Sequence, residues 1–342
     1  MAIEPGARPS PRAILLLAGK VVLSVVVFAL LFRGKLDWKD VQHAIGQARR
    51  PWLAVAFGVM FASNLLGAFQ WSRLLHAVGI RIPFWKVCAY YHVGLFFNNF
   101  LPANVGGDFA RILDASRGGS GSRASAFATV LMDRMIGTVA LGGLAVLTVL
   151  PALGELKLSP AFVVALYGGA FAFFALSVAM LWAIFHPRLL ALVERALAAI
   201  RLGRLKPALD ELSERLAGFR GQRRMFMELF AVATGVQLMR VGVHVLVARA
   251  LGLHVPIAYF FLFVPLLAVI VSLPISLNGI GVREGAGVVL FGLVGVRQDL
   301  AFTLQFTTYL VAVAVSMIGG IVFLVRIPHR RAEARVSRRS DA

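Results

Sequence analysis

The chain has 342 residues, of which 59% are hydrophobic and only 15% charged, yet its formal net charge is +19. The basic residues lie between apolar runs of membrane length, so a nucleic-acid-binding role is excluded and an all-α, polytopic helical membrane protein is indicated. A single cysteine, Cys88, excludes an intramolecular disulfide framework.

Arg8 and Arg12 precede an apolar run at 13–32 that is too long for a signal peptide and lacks a small-residue cleavage site. It reads as a retained first span. Further spans follow near 52–72, 125–150, 161–185, 225–250 and 300–326. Each has ~20 residues or more, enough to cross a hydrocarbon core of ~30 Å at ~1.5 Å per residue. Two blocks between them, 84–116 and 257–297, are different. In each, an apolar run meets Leu-Pro, then Asn and two glycines, then charge. The first contains Asn98, Asn99, Leu101, Pro102, Asn104, Gly106, Gly107, Asp108 and Arg111. The second contains Leu273, Pro274, Asn278, Gly279, Gly281, Arg283 and Glu284. Proline removes a helical donor and clashes with the preceding turn, and glycine weakens helix interiors. Each block is a re-entrant hairpin or a pair of short, broken spans. Irregular backbone survives at membrane depth only inside protein or beside a wet cavity.

Six full spans plus two broken hairpins therefore make one domain over 12–326, with repeats at 12–151 and 160–326. The loop at 186–224 and the tail at 327–342 are rich in arginine, which places both on the cytoplasmic side of the plasma (inner) membrane. The loops near 151–160 and 251–257 carry almost no positive charge and fall outside. Both termini then lie in the cytoplasm. Residues 33–51 disagree: they fall outside, yet hold Arg33, Lys35, Lys39, Arg49 and Arg50 against Asp37 and Asp40. Each half crosses an odd number of times, so the second is inverted relative to the first, as in secondary transporters whose site lies at the repeat interface.

Candidate binding residues cluster at the breaks. Backbone amides of Gly106, Gly107, Gly279 and Gly281 at helix starts suit an anion, although glycines there serve close helix packing equally well. Arg111 and Arg283 lie just inside those helices and suit a phosphate or carboxylate. Asp108 and Glu284 sit near the positive helix ends. Asp133 and Arg134 open a span and are placed either to pair with the hairpin charges or to mark a boundary. Gln237 and Arg240 share one mid-span face, with His244 four residues on, which suggests a lined cavity. Asn98, Asn99, Asn104 and Asn278 suit helix capping first and headgroup binding second. The leucines within 188–220 suggest an amphipathic hairpin on anionic lipid, or else a solvated loop helix. Residues 118–122 lack the ending of a phosphate loop. No metal-ligand spacing, cofactor motif or catalytic constellation is legible.

The motifs around Asn99 to Pro102, Gly106 to Asp108 and Arg111, around Asp133, Arg134 and Gly137, and from Ser272 to Gly285 resemble the lysylphosphatidylglycerol synthase transmembrane-region family, often described as flippase-like. The resemblance spans roughly 12–326 and is most specific in Gly279 to Gly285. Where this chain has Asp133, the family often has Glu. The best-known members carry an aminoacyl-transferase domain. This chain ends in a short basic tail, so synthase activity is not implied. The resemblance implies movement of an anionic phospholipid, polyprenyl phosphate or glycolipid between leaflets. A membrane glycosyl- or aminoacyl-lipid transferase and a scaffold for lipid biosynthesis are the rival readings, and homo-oligomer formation stays open.

Overall fold

A computed structural model of the chain describes residues 38–100, 106–119, 122–152, 160–184, 221–272 and 279–340, with short pieces between 186 and 219. The described residues form ten helices and no strand. They are α1 (Trp38–Gly46), α2 (Arg50–Ala77), α3 (Phe84–Phe100), α4 (Gly106–Gly118) and α5 (Arg123–Ala152), then α6 (Pro160–Ile184), α7 (Arg223–Ala250), α8 (Ile257–Ser272), α9 (Val282–Gly292) and α10 (Gln298–Ser340). Five of these, α2, α5, α6, α7 and α10, are long and apolar enough to cross a membrane. They match five of the six expected spans. The sixth, 13–32, lies outside the described residues, as do Asn104 and Asn278. The basic tail is not a separate segment: α10 continues through it to Ser340.

The order of helices repeats. A 28-residue helix (α2, α7) is followed by a shorter apolar helix (α3, α8), a break, a short Gly-rich helix (α4, α9) and a long span (α5, α10). The first helices of both sets end in the same way. Ile80 N–H donates to the Leu75 carbonyl, and Leu253 N–H to the Ala248 carbonyl, at 2.9 Å each. Gly79 and Gly252 supply the positive φ that this closing turn requires.

Packing pairs the two sets throughout. α2 packs along α7, α3 on α10, and α8 on α5. α2 and α7 run antiparallel, since the Arg49 amide at the start of α2 reaches the Ala250 carbonyl at the end of α7 (2.8 Å). At the opposite end, Arg73 meets Glu228 at 3.0 Å. Two close approaches depend on glycine. A Cβ on Gly107 would strike the Gly94 carbonyl and the Asn98 side chain, and one on Gly319 would strike the His92 carbonyl. Among α7 to α10 and their neighbours the apolar core includes Phe260, Phe263 and Phe291, whose rings meet at 5.2–5.4 Å. α6 lies at the periphery against α5, with Val164, Leu176 and Trp182 exposed on an apolar face.

One expectation is corrected here. Leu216 and Phe219, in the basic loop, are buried against Leu74, Met132 and Leu229. That part of the loop docks on protein because its apolar residues complete a core, rather than lying on lipid. Leu209 and the leucines at 189–192 lie outside the described residues.

Candidate functional site

A cavity of about 510 Å³ opens between the two four-helix sets. Its wall is formed by α2, α3, α5, α7, α8 and α10 and by the short helices' arginines. Burying this much polar surface between spans is costly unless it is used.

From the first set come Arg111, Asp133 and Arg134. Arg111 is almost completely buried. Its guanidinium lies between the rings of Trp71 and Tyr91, 4.3 and 4.7 Å from their centroids. One nitrogen donates to Asp133 at 2.8 Å, and another lies 3.7 Å from Asp108. The other Asp133 oxygen accepts from the Gln70 amide at 2.9 Å. Arg134, half exposed, grips Asp108 with two hydrogen bonds of 2.9 and 3.0 Å. Trp71 is itself fixed by an indole N–H to Thr129 bond of 3.1 Å. Two arginines and two aspartates therefore bind α4 to α5, and Gln70 adds α2. The charges at Asp133 and Arg134 pair with the hairpin rather than marking a boundary.

From the second set come Arg283, Gln237, Arg240 and His244, with Gln305 and Tyr309 opposite on α10. Arg283 stacks on Tyr309, 4.6 Å from the ring centroid. Gln237 reaches the Gly137 carbonyl at 3.4 Å, so this stripe touches the first set. The His244 ring is held by the Arg240 carbonyl at 2.9 Å. Among the described residues no carboxylate lies within ion-pair distance of the Arg240 side chain. Its guanidinium faces the cavity.

Three expected site groups are engaged inside the chain. The Gly107 amide donates to the Asn98 side chain at 2.9 Å, so Asn98 caps α4. The Gly281 amide donates to the Glu284 carboxylate at 2.7 Å, the glutamate half of a capping box at the start of α9. Glu284 is 1% exposed and does not line the cavity. These amides and this carboxylate hold helix ends because the chain break leaves the groups without helical partners. Gly279 has φ +77° and sits beside the Arg283 side chain. Gly106 faces a smaller apolar groove of about 260 Å³ instead, between α3, α4 and α10. Asn99 lines the main cavity.

Sequence reasoning missed Gln70, Asn64, Trp71, Tyr91, Gln305 and Tyr309. Asn64 and Gln70 were detectable as amides inside an apolar span. The aromatic residues carried no signal, because any span contains such residues.

A comparison with protein families matches residues 17–320 to the lysylphosphatidylglycerol synthase TM region. Comparison with curated proteins finds no match. The matched region contains every charged residue of the cavity and both broken hairpins. The chain is thus a multi-pass, lipid-related membrane protein and belongs to the lysylphosphatidylglycerol synthase transmembrane-region family.

Proposed function

We propose that the chain is a lipid translocase of the plasma (inner) membrane, in which a lipid headgroup enters the cavity between two inverted repeats while the acyl chains stay in the bilayer. The observation that carries this reading is the cavity-facing Arg240, a cation at membrane depth without a carboxylate partner among the described residues. Such a charge calls for an anionic partner, and a headgroup phosphate supplies one. Arg283 stands near it as a second donor. Arg111 serves differently. Its ring sandwich and ion pair hold the wall.

The antiparallel α2–α7 pair and the exchanged packing, α3 on α10 and α8 on α5, favour repeats of opposite orientation. In such folds the substrate site falls at the repeat interface. The transferase reading fits less well. It needs an acidic base, and Asp108, Asp133 and Glu284 are all engaged by arginine or by a backbone amide.

A leaflet-resolved lipid assay in proteoliposomes tests the proposal. The full chain should move a fluorescent anionic phospholipid between leaflets. Arg240→Gln should slow it by roughly ten- to a hundredfold, the loss of one charge-assisted contact of ~1.5–3 kcal/mol. Equal rates for the variant and the parent would remove Arg240 from the transport path.

A further inference from the structure

The charges around the cavity specify more than an anion. Arg111, Arg134, Arg240 and Arg283 line it with a single carboxylate, Asp133. Asp108 and Glu284 stand directly behind, paired with Arg134 and next in sequence to Arg283. With both included, one positive charge remains uncompensated among the described residues.

Among the described residues, the acidic groups nearest these helices are engaged elsewhere. Asp114 pairs with Arg326, Glu228 with Arg73 and Asp299 with Arg297. The sequence at 101–105 and 273–278, the two breaks, contains no charged residue, and every charged residue within 5–36, Lys20 among them, is basic, so neither stretch supplies an acceptor for a cation. Among the described residues, every carboxylate near the cavity already receives a guanidinium or a backbone N–H. An ammonium group brought into this space would meet arginines and find no acceptor of opposite charge, and a buried unpaired charge is strongly disfavoured. Neutral polar partners are plentiful: Asn64, Gln237, Gln305 and Thr308 line the same wall.

Resting on the translocase reading for its site, we propose that the accepted headgroup is a net monoanion. It is a phosphodiester whose other polar groups are uncharged hydroxyls, and the aminoacylated form of the same lipid is rejected. One phosphodiester neutralises the surplus charge, and hydroxyls meet the amides. An aminoacyl ester adds ammonium groups that the cavity has no means of holding. This chain then handles the unmodified lipid, although its family is described by the modified one.

The test uses the purified full chain in detergent and reads the ligand-induced rise in melting temperature, so it does not depend on transport. Phosphatidylglycerol should act at concentrations roughly tenfold lower than its lysyl ester or phosphatidylethanolamine. Water-soluble glycerophosphoglycerol should have no effect in the same range. Arg240→Glu should reverse the order in favour of the lysyl ester, and Arg240→Gln should abolish the preference while melting normally without lipid. A lysyl ester as effective as phosphatidylglycerol would overturn the proposal, as would a phosphatidylglycerol preference unchanged in Arg240→Gln. A soluble headgroup acting as well as the lipid would overturn the lipid as its source. Selective binding by a protein that moves no lipid in proteoliposomes would leave this inference standing and remove the translocase reading alone.

Discussion

Arg111 and Arg240 are the same residue type on the wall of the same cavity, yet their surroundings differ sharply. Arg111 has two rings, one aspartate at 2.8 Å and a second nearby. Arg111→Ala should therefore strip Asp133 of its cation and cost ~3–5 kcal/mol of stability. A large fall in melting temperature, measured without any lipid, is the expected result; loss of transport at unchanged stability would move Arg111 into the binding set. Gly281 makes a second case. By position its amide suits an anion or a helix contact, but φ is +81° and its N–H is already held by Glu284. Gly281→Ala should destabilise the protein by ~1–3 kcal/mol through backbone strain. The melting shift produced by an anionic lipid should survive in that variant. None of this could be read from one-dimensional spacing, because what separates the arginines is which carboxylate lies across the helix interface.

The helices themselves were far more legible. Apolar runs long enough to span gave α2, α5, α6, α7 and α10 to within a few residues at their membrane ends, because length and hydropathy decide such segments without reference to neighbours. The ends of α3 at Phe100 and α8 at Ser272 were legible for a similar reason: the Leu-Pro that follows each does not favour a continued helix. Capping by Asn98 followed from the same logic. Three things were beyond that logic. α10 runs on through the basic tail. The basic loop uses Leu216 and Phe219 to complete a core shared by α2, α5 and α7. The close crossing of α10 on α3 at Gly319, against the His92 carbonyl, is set by helices more than two hundred residues apart in sequence.

For the molecule as a whole, the arginine-rich segments set the expected orientation, with both termini and the loop at 186–224 in the cytoplasm. In a Cys88→Ala background, single cysteines at positions 120, 205 and 335 should label from the cytoplasmic side. Those at 155 and 254 should label only from outside. Cytoplasmic labelling at 155 would contradict opposed repeats and with them the central placement of the cavity.

The antiparallel α2–α7 seam also bears on how the chain can be divided. Its contacts, with those of α3 on α10 and α5 on α8, all join the first set of helices to the second. The covalent link between the sets runs through α6 and then the arginine-rich stretch at 186–222, expected to lie in the cytoplasm. Cutting the gene there leaves every described helix whole and every seam contact available. Two separately encoded fragments, 1–205 and 206–342, should therefore find each other in the membrane, and affinity capture of one should recover the other in equal amount. A fold held together in this way behaves as a dimer of unlike halves that happen to share one peptide chain.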